Sequence, residues 1–274
     1  MARIIAVCNN KGGVGKTNIS VNLPVFLAAQ GKKVLLVDFD HQANATFSLG
    51  FHPKNIPLSI YHALVGTVSP TAIIRRTSFF GYDLIPASQD LAGAEVELVP
   101  SQERELKLSG LLQKVAENYD FIFIDSPPSL GLLTINALAA AQEVLIPVQC
   151  EYLALEGLEQ LLATMELIRK NLGHELKITG AVLTMYNRHN KISHDVADKL
   201  RRDFPGYVFR TIIPRAVVLA EAPRAGKTIM HYAPVSAACK SYRNLAEELV
   251  GISAMEGPFP KKESQESGNL IVQA

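Results

Sequence analysis

Eight residues, Asn10-Lys11-Gly12-Gly13-Val14-Gly15-Lys16-Thr17, leave this chain few ways to fold, because of what stands on either side of them. Arg3 to Cys8 is apolar almost throughout, the composition of a strand buried on both faces of a parallel sheet. Thr17 to Gln30 reads as the helix that follows. Strand, glycine loop and helix in that order are what a phosphate-binding loop requires. The pattern G-x-x-x-x-G-K-[ST] is met at Gly15, Lys16 and Thr17, but its first glycine falls at Asn10, so the loop is a variant. Successive backbone N–H groups of Gly12, Gly13, Val14 and Gly15 are expected to face an anion at the positive end of the helix, with Asn18 in its first turn. Lys16 would reach the β- and γ-phosphates of a nucleotide, and the Thr17 hydroxyl would complete a Mg²⁺ site.

The rest of the chain agrees with an α/β protein. Lys33 to Asp38 and Phe121 to Ile124 are further apolar strands, ending at Asp38 and Asp40 and at Asp125. Strands are also expected at Glu143–Val148, Lys177–Thr184 and Phe209–Pro214, with a weaker one at Tyr82–Pro86. Leu153–Asn171 and Lys191–Phe204 carry the 3.6-residue spacing of helices. Alternating strands and helices predict one P-loop domain over residues 1–250, a twisted, mostly parallel sheet covered by helices on both faces. The last helix of that domain would bury Tyr242, Leu245, Ala246, Leu249 and Val250 on one stripe. From Gly251 the composition turns to Gly, Pro, Lys, Glu and Ser, which reads as a flexible tail over 251–274.

In a parallel sheet, ligands collect at the carboxyl ends of the strands, where all three acids fall. Asp125 is placed to hold Mg²⁺ through its water shell, and Asp38 and Asp40, two residues apart, can both face the pocket. One would orient the attacking water while the other supports the metal. The competing reading is that these two acids only cap a helix beginning near Gln42.

Charge and cysteine content narrow the function. The chain has 274 residues, 48% hydrophobic and 19% charged, with a formal net charge of +1, so any nucleic-acid binding must come from a local basic patch. Cys8, Cys150 and Cys239 are scattered, without a C-x-x-C pair, as reduced, packed thiols would be. No apolar run approaches the roughly 20 residues that span a bilayer. The start of the chain leaves no room for a signal peptide, and a cytoplasmic protein is expected.

Lys11 is then surplus. One lysine suffices for the β/γ-phosphates, so a second in the same loop must face away or serve another nucleotide. Phosphates buried between two subunits would supply one.

Four groups of residues carry a specific resemblance: Lys11 to Thr17; Leu35-Leu-Val-Asp-Phe-Asp40 with Asn44-Ala-Thr46; Phe123 to Gly131 with Leu133-Thr-Ile-Asn136; and Ile213-Pro-Arg215 with Glu221-Ala-Pro223. Over residues 2–250 the chain resembles the ParA/Soj family of deviant Walker A partition ATPases, relatives of MinD and the nitrogenase iron protein. The resemblance implies that Lys11 acts across a nucleotide-sandwich homodimer with Lys16 and Asp40 as its catalytic partners. It further implies that Asp125 is the Walker B acid and that Pro214 lies against adenine. It implies an ATP- and Mg²⁺-driven cycle in which the dimer binds double-stranded DNA without sequence preference and a ParB-like partner stimulates hydrolysis, giving a nucleoid-associated protein. A membrane-cycling role is disfavoured, since there is no basic amphipathic tail.

The chain also departs from the family. Asn18 replaces a common threonine and His41 a common proline. His189, Val218, Val235 and Ala237 stand where relatives carry basic residues for DNA. Arg188, Arg201, Arg202, Arg215, Arg224, Lys227, Lys240 and Arg243 are the candidates to replace them. A positioner of a non-DNA cargo is therefore the alternative output.

Overall fold

The apolar run at the start of the chain becomes the second-innermost member of a sheet that no single local signal defines. The structure, a computed structural model, describes residues 2–151 and 154–254. Its strands are β1 (Arg3–Val7), β2 (Val34–Asp38), β3 (Arg75–Arg76), β4 (Tyr82–Ile85), β5 (Phe121–Asp125), β6 (Glu143–Gln149) and β7 (Lys177–Thr184). They lie in the order β3-β4-β2-β5-β1-β6-β7. Every neighbouring pair is parallel except β3 with β4. Register sets Val7 beside Asp125 and Asp125 beside Asp38, so the strand ends that bear the acids are level with the start of the glycine loop.

Helices cover both faces. On one lie α1 (Lys16–Ala29), α2 (Asn44–Ser48) and, late in the chain, the helices at Val218–Arg224, Ile229–Tyr232 and Ala237–Ala254. On the other lie the helices at Ile60–Leu64, Pro70–Ile73, Leu91–Glu97, Lys107–Gln113, Leu132–Ala140, Ala154–Leu172 and Lys191–Asp203. In chain order these are α3 to α9 for the second group and α10 to α12 for the last three of the first. The alternating faces of β1 show the division: Ile5 and Val7 pack under α1, while Ile4, Ala6 and Cys8 face the other layer. Side chains of successive strand residues point to opposite faces, and here both faces are dry.

Helix α1 carries Pro24 in its interior. Proline has no N–H, so the Ser20 carbonyl four residues earlier loses its helical donor. The buried Tyr82 hydroxyl fills the gap by donating to the carbonyls of Ser20 (3.3 Å) and Val21 (3.2 Å). That contact ties α1 to β4, and the helix keeps its length.

One expectation is corrected. Phe209–Pro214 is not a strand. It touches the β7 edge at isolated bridges, Ala181 with Val208 and Tyr186 with Pro214. Phe209 and Ile213 donate to the carbonyls of Ala181 and Leu183, but the N–H groups of Arg210 (2.7 Å) and Thr211 (2.9 Å) go to the Glu248 carboxylate on α12. The Glu248 side chain has taken the Thr211 N–H, the donor that would continue the ladder between Phe209 and Ile213. Helix α12 runs through Gly251 to Ala254. The remainder of the expected tail, 255–274, lies outside the described residues, as does Leu153, the expected first residue of α8.

Candidate functional site

The glycine loop opens directly into α1, and no side chain caps that helix. The N-cap position is Gly15 at φ +93°, and Gly13 sits at φ +75°. L-residues with a Cβ rarely adopt this left-handed backbone, and it turns the loop's N–H groups inward. A Cβ at Gly13 would meet nothing within 4 Å, so the cradle is open on that side. Beneath the loop, the Thr184 hydroxyl at the end of β7 donates to the Val14 carbonyl (2.7 Å).

A cleft of about 330 Å³ lies over this loop. It is lined by Gly12, Gly13, Gly15, Lys16, Thr17 and Asn18 of the loop and the first turn of α1, by Asp40, Gln42 and Asn44 after β2, and by Pro128 and Met185. Lys16 is buried and its ammonium donates to the Lys11 carbonyl (3.0 Å). Burial lowers its pKa, and the charges of Asp125, Cys8 and Asp40 act in the opposite direction. A lysine held this way is ready to exchange a carbonyl for a phosphate oxygen.

The three acids separate by environment. Asp40 lines the cleft, and its Oδ1 accepts the Gln42 N–H (2.9 Å) with the His41 imidazole 3.7 Å away. Asp125 lies on the floor, 1% exposed, with Oδ1 accepting from the Ser20 hydroxyl (2.8 Å). Its Oδ2 is buried without a hydrogen-bond partner. Burial first and the neighbouring Asp38 second push its pKa up to about 8, against the Ser20 and Thr17 hydroxyls. An orphaned buried carboxylate oxygen beside Thr17 suits a hydrated cation, since Mg²⁺ keeps most of its waters and takes one or two protein oxygens plus phosphates. Among the described residues, no cluster of three His, Cys, Asp or Glu could hold a metal by itself.

Asp38 does not line the cleft. It is fully buried, Oδ2 accepts from the Thr46 N–H (2.7 Å) and hydroxyl (2.6 Å), and Oδ1 from the Asp40 N–H (3.3 Å). Burial, opposed by these bonds, raises its pKa to about 6. These bonds tie Asp38 to the first turn of α2 and to the Asp40 backbone. For Asp40, the cleft position favours the site reading.

Lys11 and Pro214 stand beside the cleft. The Lys11 ammonium makes no hydrogen bond or ion pair among the described residues. Pro214 pairs with Tyr186, the residue after the cleft-lining Met185. Sequence reasoning gave no role to Thr184, Met185 or Ser20. The first two end β7, where strand carboxyl ends gather, and Ser20 is one helical turn beyond Thr17; those placements were the available signals.

The eight basic candidates are all exposed but do not form one surface. Arg188, Arg201 and Arg202 go with α9, and Arg224, Lys227, Lys240 and Arg243 with α10 to α12 on the opposite face of the sheet. Arg201 and Arg202 pair with Asp198 (3.9 Å) and Asp203 (2.9 Å), and Arg215 with Glu151 (3.2 Å). The second set has no acidic partner among the described residues. All three cysteines are buried, with thiol pKa values raised by burial, to about 11 for Cys8 and about 12 for Cys150. No helix among the described residues is long and apolar enough to cross a membrane.

A family model described as an AAA domain matches residues 2–178. The chain is 49% identical to the sporulation initiation inhibitor protein Soj of Bacillus subtilis (strain 168), over 91% of this chain and 98% of that protein. The chain belongs to the ParA/Soj family. It is also 47% identical to the chromosome-partitioning ATPase Soj of Treponema pallidum (strain Nichols), over 91% and 98% of the two chains. Among solved structures, the cobyrinic acid a,c-diamide synthase of Mycobacterium smegmatis with bound ADP and magnesium superposes with a TM-score of 0.83. Its identity is 37%, covering 95% of this chain and 99% of that one. The ParA/Soj motifs thus supply the cleft's lining: the loop from one motif, Asp40 and Asn44 from the second, and Pro128 from the third, with Asp125 buried nearby.

Proposed function

We propose that this chain is a Mg²⁺-dependent ATPase whose nucleotide-bound form is a sandwich homodimer that binds DNA and is reset by a ParB-like partner. The observation that carries this reading is the cleft itself, an open anion cradle with Asp40 across from it and an unpartnered Asp125 oxygen below. Gly12, Gly13, Val14, Gly15, Thr17 and Asn18 hold the phosphates through backbone N–H groups and the first turn of α1. Lys16 neutralises the β/γ-phosphates. Thr17 and Asp125 hold the magnesium, which when bound draws off charge that develops on the phosphate oxygens. Asp40 orients the attacking water and accepts its proton. Lys11, with its ammonium uncommitted, reaches the phosphates of the partner's nucleotide. Pro214, next to the β7 end, backs the adenine.

The DNA-binding output rests on α10 to α12, where Arg224, Lys227, Lys240 and Arg243 are free of acidic partners among the described residues. The alternative, a positioner of a non-DNA cargo, draws on Val235, 99% exposed where a basic residue is expected, and on the division of the basic residues between two faces. ATPase activity measured with and without DNA across a salt series, with particle size followed in parallel, separates the two. Stimulation and binding that fall steeply with salt support the DNA reading, because phosphate contacts release counterions. Turnover and size that ignore DNA at every salt concentration favour the other cargo. Absence of ATP turnover under all conditions sinks the ATPase assignment.

A further inference from the structure

Asn10, the residue that stands where an ordinary phosphate loop has its first glycine, is gripped by a helix from the other end of the domain. Its Nδ2 donates to Gln160 Oε1 on α8 (2.5 Å), and its Oδ1 is buried with no partner. The residue of α8 that faces the loop is Gly157, and any larger side chain there would force the Asn10 amide to move. A Cβ there would lie 2.3 Å from Asn10 Oδ1 and 3.3 Å from Asn9 Oδ1. Asn9 is the second clamp. It is 1% exposed, its Nδ2 donates to the Pro147 carbonyl on β6 (2.7 Å), and its Oδ1 accepts the Lys11 N–H (3.0 Å).

We propose that Asn9 and Gly157 are positioning residues for Lys11: β6, through Asn9, sets the backbone from which the Lys11 ammonium is projected, and Gly157 gives α8 the clearance to lie against Asn10 without displacing the loop. The inference rests on the proposed role of Lys11 in hydrolysis. Lys11 is fixed at its N–H by Asn9 and at its carbonyl by Lys16, while its side chain stays uncommitted. The backbone of this residue is therefore held at both its N–H and its carbonyl, and any displacement of α8 at Gly157 falls first on the two asparagine amides. Misplacing a group that acts on the reacting phosphates by about 1 Å is enough to cost ~100-fold in rate.

The test is Gly157→Ala, a change that favours the helix it sits in, paired with Gly157→Ala/Asn10→Gly, which removes the obstructed amide. Hydrogen exchange of the Lys11 amide, affinity for a fluorescent ATP analogue and kcat are measured for each. Gly157→Ala is expected to speed exchange at Lys11 at least ~10-fold and lower kcat by ~10- to 100-fold, with nucleotide affinity within about 2-fold. The double variant should recover most of both. Unchanged exchange at Lys11 in Gly157→Ala overturns the proposal, and so does a double variant as impaired as the single one. Faster exchange that Asn10→Gly reverses, with kcat unaffected throughout, upholds the positioning and instead refutes the role of Lys11 in hydrolysis.

Discussion

At the scale of single residues, the site works by giving like side chains unlike surroundings. Asp40 and Asp38 are two positions apart, yet one lines the cleft and the other is consumed by Thr46. Asp40→Ala should bind ATP with near-normal affinity and lose ~10²- to 10⁴-fold in turnover, the usual cost of removing a positioned base; a nucleotide titration alongside a phosphate-release assay checks both halves. Asp125 makes the nucleotide-free protein sensitive to pH. Its folded pKa, near 8, lies above that of an unfolded aspartate, so between about pH 4 and 8 the folded state binds more protons than the unfolded one. Stability should therefore fall as pH rises through that window, with Asp38 adding to the lower part of it. Thermal melts without nucleotide should show Tm decreasing between about pH 6 and 8. Asp125→Asn, which cannot ionise, should flatten that slope.

Among secondary elements, strands β1, β2, β5, β6 and β7 were legible in the sequence because each is built around a short run of mostly apolar residues, and α1 because a glycine loop announces it. β3 was invisible. Two arginines at a sheet edge carry no apolar signal, and their pairing is decided by β4. The segment before Pro214 looked like a strand for a sound local reason, and failed because Glu248, on a helix much later in the chain, captures two of its N–H groups. The site was legible where a motif names a backbone conformation, as at Gly13 to Thr17. It was not legible where two distant elements meet, as with Thr184 under Val14 or Gly157 against Asn10. Helix α12 carries the clearest prediction about output. Lys240 and Arg243 are one turn apart on its exposed side, so Lys240→Glu/Arg243→Glu should weaken DNA binding and reduce the slope of log K against log salt by about 2, near 0.9 for each phosphate left unneutralised. Arg201→Ala/Arg202→Ala, on the opposite layer and beside acids of its own, should leave that slope unchanged.

For the molecule as a whole, one sheet and two helical layers yield only half of the proposed catalytic arrangement. If the wild-type chain dimerises in Mg-ATP as proposed, Lys11→Ala should remain monomeric there, as sedimentation velocity would read; a normal dimer would leave the second lysine with no role across the interface. The sheet order also fixes when the site can exist. β1 is flanked by β5 and β6, so Arg3 must wait for a partner roughly 120 residues later, on the order of ten seconds at ribosomal speeds of ~5–20 residues per second. The phosphate loop is translated early but has no floor until Asp125 has emerged. Nascent fragments shorter than this should gain nothing from ATP, and the nucleotide should favour chains whose synthesis has passed β7, which brings Thr184 beneath Val14.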